Sequence, residues 1–372
     1  MKMMKVLFIM SRILGGKTYT NQVMNVLPEI KNIEPIVVTL DVSDYVNFKC
    51  SKFQLFESLA VIRKKFNSLK IEGFDAVFLQ SIDFVLAFRD LIKKYPTIVA
   101  HDATPYLSNW YSHGRYYSVI HKVKYYLNHL LINKYCYPQN IMQKVCVFLP
   151  RTEFCAASLT SQYKINSDRI IITPPSFDTQ KWAPSKKTSR TDQKKVLLFV
   201  GNDFVRKGGD FLLTIFQKYF RELAILRIVS NDNYLDSIKD ANIEIKKGFN
   251  ITENEFEYKQ FYNSADIMLL PTRHDFLGIA LIEAACMGLP IIVSDIGGVR
   301  DVVCERQNGF ICAPDNNSAE WVEKIKLLIE DDKLRESFSR KSREIAVSKF
   351  GIGQFITNLN KSFEMVKHVR YQ

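Results

Sequence analysis

A carboxylate repels a phosphate but accepts hydrogen bonds from sugar hydroxyls. A glycine at the start of a helix lets an anion approach unpaired N–H groups and the positive end of the helix dipole. Asp275, Gly278 and Glu283 stand in that pattern, the two acids eight positions apart with the glycine between them. An anion cradle beside hydroxyl acceptors describes a site for a sugar nucleotide. The same residues also read as a first-turn Asp complementing a helix dipole and a solvated Glu, the ordinary arrangement on a protein surface. On their own they leave both readings open.

The flanking sequence says what must position them. The apolar runs at 267–270 and 291–293 are too short for helices and predict buried strands of a parallel sheet. Between them lie a loop and then a Pro-free segment, 278–287, that predicts a helix. In an open α/β sheet, ligands collect outside the carboxyl ends of the strands, where this loop falls.

The stretch resembles the donor-site motif of the retaining glycosyltransferases of family 4, whose pattern is a Glu, seven residues, a second Glu followed by Ala, a Gly-Pro strand and a Gly-Gly turn. Here it stands as Asp275, seven residues, Glu283-Ala284, Gly288-Leu289-Pro290 and Gly297-Gly298. Asp in the first place is one methylene shorter than the usual Glu, which bears on how the sugar is held. The resemblance implies the α/β GT-B fold, two Rossmann-like doubly wound domains facing each other across a cleft. It also implies that Asp275 holds a sugar hydroxyl, that Glu283 holds the ribose, and that Phe276, Leu277, Gly278 and Ile279 line the donor.

Lys207-Gly208 is similar to the family's phosphate-binding Lys-Gly. The usual Arg beside the first Gly is replaced by Asn202, and Arg206 adjoins the lysine. Arg206 and Lys207 read as a pair that neutralises a diphosphate, Arg by its fork and Lys as a point charge. Two bare cations at a helix start are the disfavoured alternative, because helix N-termini prefer acids unless an anion is bound.

Near the start, SRILGGKTYT falls one residue short of a P-loop: Gly16-Lys17-Thr18 match, but Ser11 stands where the first Gly is required. The resemblance instead makes this the Gly-rich loop near the donor phosphates and acceptor, with Gly15 and Gly16 its key residues and a helix from 21 to about 28 after it. His101 follows a strand predicted at 97–100. Family members often carry a functional His in a comparable part of the first domain, so His101 is a candidate for orienting the reacting sugar. A His that only hydrogen-bonds a loop is the alternative.

A chain of 372 residues, 47 % hydrophobic and 24 % charged, predicts two ordinary globular domains. The 51 Lys and Arg against 39 Asp and Glu give +12, which fits phosphorylated ligands, an anionic membrane face or nucleic acid. No recognised nucleic-acid module accompanies the charge, so no nucleic-acid partner is expected. The seven cysteines are scattered without metal-ligand spacing and read as reduced thiols of a cytosolic protein. The opening MKMMKVLFIM is too short an apolar run for a signal peptide, and no window approaches a membrane span. The chain has no Asp-x-Asp pair, so neither a metal nor another cofactor is expected beyond the donor itself.

Apolar runs at 6–10, 36–40, 76–79 and 97–100 alternate with helical patterns at 53–69 and 84–93, the rhythm of a doubly wound parallel sheet. From 106 to 137 the sequence turns aromatic and basic; it reads as a core helix with a solvated basic face or as a surface that docks on anionic lipid. Residues 184–195 are polar, with five Lys or Arg and no apolar period, and predict a linker. A strand at 196–200 opens the next domain, and helices are predicted at 319–330, 334–349 and 353–366. The expected organisation is an acceptor-binding domain over 1–183, a linker over 184–195, a nucleotide-sugar domain over 196–350, and a last segment, 351–372, packed on the first domain.

The resemblance implies a retaining, metal-independent glycosyltransferase that moves a sugar from a UDP- or GDP-linked donor to a glycan or lipid-linked acceptor at the cytoplasmic face of a membrane. The rival expectations are a sugar-nucleotide epimerase of the same fold and an inactive scaffold that only binds the nucleotide sugar.

Overall fold

A computed structural model describes residues 3–12, 15–40, 54–108, 139–185, 194–248, 254–314, 317–367 and 369. Most of the aromatic, basic stretch and the centre of the predicted linker, 186–193, lie outside the described residues. The chain forms two compact units, one from Met1–Ser176 with Ile352–Gln372 and one from Phe177–Gly351.

The first unit is built on five parallel strands: β1 (Met4–Ser11), β2 (Ile33–Leu40), β3 (Ala76–Leu79), β4 (Thr97–His101) and β5 (Val147–Pro150), in the order β2-β1-β3-β4-β5. Residues 6–10 of β1 are wholly buried because helices cover both faces of such a sheet, which is why the strand reads as one unbroken apolar run. The helix after β1 spans Gly15–Val26, so Gly15 and Gly16 form its first turn instead of a loop ahead of it. Thr20 Oγ1 donates to the Ser11 carbonyl at 2.7 Å, tying this helix to the end of β1. The helix predicted at 84–93 is two pieces, Phe84–Ala87 and Arg89–Lys94, broken where Phe88 leaves helical geometry at φ −119°, ψ 34°.

The last helix, Ile352–Lys367, belongs to this first unit. Phe355, Leu359, Phe363 and Val366 recur at helical spacing and are buried in its core; the Phe363 ring lies 5.9 Å from that of Phe8, and Phe355 meets Tyr19 edge-on at 5.8 Å.

The second unit carries six parallel strands, β6 (Lys195–Val200), β7 (Ala224–Val229), β8 (Ile243–Lys246), β9 (Ile267–Leu270), β10 (Ile291–Ser294) and β11 (Gly309–Cys312), in the order β11-β10-β9-β6-β7-β8. The segment 177–183, expected with the first unit, packs in this one. Phe177 donates its N–H to the Phe350 carbonyl at 2.7 Å, and the Arg343 guanidinium bonds the carbonyls of Thr179 and Trp182 at 2.5 and 3.0 Å. These backbone bonds, not the polar composition downstream, set where the second unit begins. Among the described residues, no helix is long and apolar enough to cross a membrane.

Candidate functional site

The strand order of the second unit reverses between β9 and β6, which lie side by side with Leu197 opposite Ile267. At such a switch point the loops leaving two adjacent strands diverge and leave a crevice at their carboxyl ends. The loop after β6 carries Arg206 and Lys207; the loop after β9 carries Asp275 and leads into the Ile279–Cys286 helix.

Local geometry fixes the first loop. Lys207 and Gly208 bond back to the carbonyls of Asp203 and Val205 at 3.0 Å each, and Gly208 takes φ +77°. A Cβ on Gly208 would lie 1.9 Å from the Pro271 carbonyl oxygen, so only glycine lets this loop close on the end of β9. The two loops are then laced together. The Arg273 N–H donates to the Arg206 carbonyl at 3.0 Å, and Arg206 Nη1 donates to the His274 carbonyl at 2.6 Å. The Arg273 fork takes both oxygens of Asp210 at 2.6 and 3.0 Å. Lys207 Nζ forms an ion pair with Asp275 Oδ2, both side chains about one-seventh exposed (14 % and 15 %).

The second loop is held from the other side. The Gly298 N–H donates to the Phe276 carbonyl at 2.8 Å, and a Cβ on Gly297, at φ +65°, would come within 2.1 Å of the Asp275 carbonyl oxygen. Gly278 caps the Ile279–Cys286 helix with no side-chain cap bond, and the first turn holds no acid, so the Asp275 carboxylate just ahead of it is the negative group at its N-terminus. Gly278 itself has an ordinary φ of −68°; a Cβ there would press on Leu281 at 3.1 Å and Asp275 Oδ2 at 3.3 Å. Leu277 is buried and Phe276 and Ile279 are half-buried. His274 is held below its usual pKa, first by burial and then by the nearby Arg206 charge. Lys207 and the helix N-terminus meet at the Asp275 carboxylate, while Arg206 is held beside them with its Nε on Asp203 and its Nη1 on the His274 carbonyl. Such a grouping can receive a phosphate ester with a hydroxyl beside it.

Glu283 sits on the second turn of that helix and is 5 % exposed, not solvated. Its Oε2 accepts from Tyr262 Oη at 2.5 Å and Tyr258 Oη at 2.9 Å. Burial raises its pKa, and the two phenol donors oppose the rise. Sequence reading missed both tyrosines. The available signal was two phenols four apart on one helix, Glu255–Asn263, a spacing that puts them on one face.

Gly15, Gly16 and His101 belong to the first unit, while the remaining predicted residues lie in the second. His101 is the last residue of β4, 2 % exposed and edge-on to Phe148 at 5.9 Å. Burial lowers its pKa to about 4, against the opposing charge of Asp102. The folded state therefore binds fewer protons than the unfolded state between pH 4 and 6.5, and stability is full above 6.5 and falls as pH drops through that window. The whole loss is about 3 kcal/mol. Urea titrations of wild type and His101→Gln at pH 7 and pH 5 check this: the wild type should lose the more stability on acidification, and equal losses would refute it. Glu283, with a raised pKa, contributes in the opposite sense and is common to both proteins.

Two doubly wound parallel sheets of this kind are the fold of GT-B glycosyltransferases. Residues 180–345 match the family model for glycosyl transferases group 1. An uncharacterized glycosyltransferase of Haemophilus influenzae is 30 % identical over 178 residues, 46 % of this chain and 50 % of that protein. The chain thus spans about half the length of the curated relatives it matches. A Rickettsia africae glycosyltransferase superposes with TM-score 0.69 at 16 % identity, covering 99 % of this chain and 100 % of its own. Anabaena HepE, solved with UDP and glucose, superposes with TM-score 0.65 at 14 % identity over 97 % and 99 % of the two chains.

Proposed function

We propose that the protein is a retaining glycosyltransferase of family 4. It transfers a sugar from a UDP- or GDP-linked donor to a hydroxyl of a glycan or lipid-linked acceptor, without a metal, in cell-surface polysaccharide assembly at the cytoplasmic face of the membrane. The observation that carries this reading is the meeting of Lys207, Asp275 and the Gly278 helix N-terminus at the β6/β9 switch point. Departure of a nucleoside diphosphate develops negative charge, and fixed cations and N–H groups stabilise it without reorganising. Arg206 and Lys207 take the diphosphate, Asp275 a sugar hydroxyl and Glu283 the ribose.

Calorimetric titration with UDP, GDP, ADP and their common sugar conjugates, with and without a chelator, tests the reading. One nucleotide bound equally well in both conditions is the expected result, and its best conjugate identifies the sugar. Binding of none, or binding that needs the metal, would sink it.

A further inference from the structure

We infer that Tyr258 and Tyr262 are positioning residues that aim Glu283 at a ribose hydroxyl, an inference that rests on the donor-site reading above. Among the described residues the two phenols are the carboxylate's only hydrogen-bond donors, and both engage Oε2, at 2.9 and 2.5 Å. Oε1 is thereby left as the oxygen through which Glu283 accepts from a ligand. Two donors on one oxygen fix the rotation of the carboxylate as well as its place, which a single bond would not.

The phenols are themselves immobilised. Their oxygens lie 3.1 Å apart, and Trp182 stands edge-on to both rings, at 6.1 and 5.9 Å. The Trp182 carbonyl is bonded by Arg343 Nη1 at 3.0 Å, and Arg343 also bonds the carbonyl of Cys286, the last residue of the helix that carries Glu283. The tyrosines are buried, and burial with the adjacent Glu283 charge keeps both phenols protonated and able to donate. A buried acid could be satisfied by any donors. A pair converging on one oxygen and sparing the other is what a group that reads a hydroxyl requires, because the unoccupied lone pairs must point one way.

The test compares UDP and GDP with their 2′-deoxy and 3′-deoxy counterparts in binding to wild type, Tyr258→Phe and Tyr262→Phe. Phe keeps the ring and its packing, and a thermal melt of each variant reports folding. Wild type should bind one ribonucleotide about tenfold or more tightly than one deoxy form. In each variant that ratio should fall several-fold towards one while affinity for the deoxy form stays at the wild-type value. A merely structural role would weaken both forms by the same factor, and that result overturns the inference. So does a variant ratio equal to wild type, or a wild-type ratio of one. Wild type that binds neither UDP nor GDP overturns the functional reading, and this inference with it.

Discussion

Lys207→Ala should lower turnover by about 10²–10³, the cost seen when one preorganised donor is removed from a developing anion. The loss should exceed that of a surface cation because of the partner left behind. Asp275 and Lys207 form an ion pair in which each side chain is about one-seventh exposed, 15 % and 14 %. Without the ammonium, the carboxylate faces the incoming diphosphate unneutralised, and its field is little screened at that depth. UDP or GDP affinity should therefore fall while that of the bare nucleoside is unchanged. Adding Asp275→Ala to Lys207→Ala should restore part of the diphosphate affinity, because the two side chains touch and their effects cannot add. If Lys207→Ala binds the diphosphate as wild type does, the phosphate assignment fails.

Gly208→Ala should destabilise the second unit by about 3 kcal/mol or more, the sum of a left-handed residue without glycine and an overpacked contact. The φ of +77° sets the first contribution, and the 1.9 Å approach of the new Cβ to the Pro271 carbonyl oxygen sets the second. Backbone on both sides leaves no flexible side chain to give way. For a unit of this size the melting midpoint should drop by about 6–12 °C. Gly353→Ala is the control, since nothing lies within 4 Å of its added Cβ and it sits inside a helix. Its midpoint should hold or rise slightly. A Gly208→Ala protein that melts with wild type would mean that the loop does not close on β9 as described.

Legibility in the sequence followed burial at most strands, although β5 is equally buried and was not read as one. The strands Ala76–Leu79 and Ile267–Leu270 are buried at every position, so the apolar run and the strand coincide residue for residue. β7 and β8 escaped because β8 closes the sheet as an edge, and in β7 Arg227 interrupts the apolar pattern to reach Glu244 at 2.8 Å and Ser264 at 2.6 Å. β11 escaped for the same reason at the other edge, where a glycine begins a four-residue strand. Phe88 ends a helix with no Gly or Pro to announce it, its ring packed edge-on against Phe66 and Phe84.

The site divides along similar lines. Lys207, Asp275 and Gly278 were legible because glycines and charges at fixed spacing mark loops that approach a ligand. That Lys207 pairs with Asp275, 68 positions away, is a consequence of strand order, which a single sequence does not spell out. Glu283 was read as facing ligand alone, because the phenols that hold it come from a helix 21 and 25 positions earlier.

The chain passes between its two units only twice, after Ser176 and after Gly351, and at the second unit those crossings are neighbours: Phe177 and Gly351 pair as a β-bridge. The second unit is therefore a closed circuit whose ends meet, with the anatomy of a cassette inserted into the first. A segment cut at those two points carries every residue of the β6/β9 crevice and its own complete sheet. The first unit has no such independence. It needs chain from both sides of the insertion, because Phe355, Leu359 and Phe363 complete its core only after the second unit has been made. Synthesis from the N-terminus thus leaves the earlier-made unit waiting on the last helix, while the later one can fold at once.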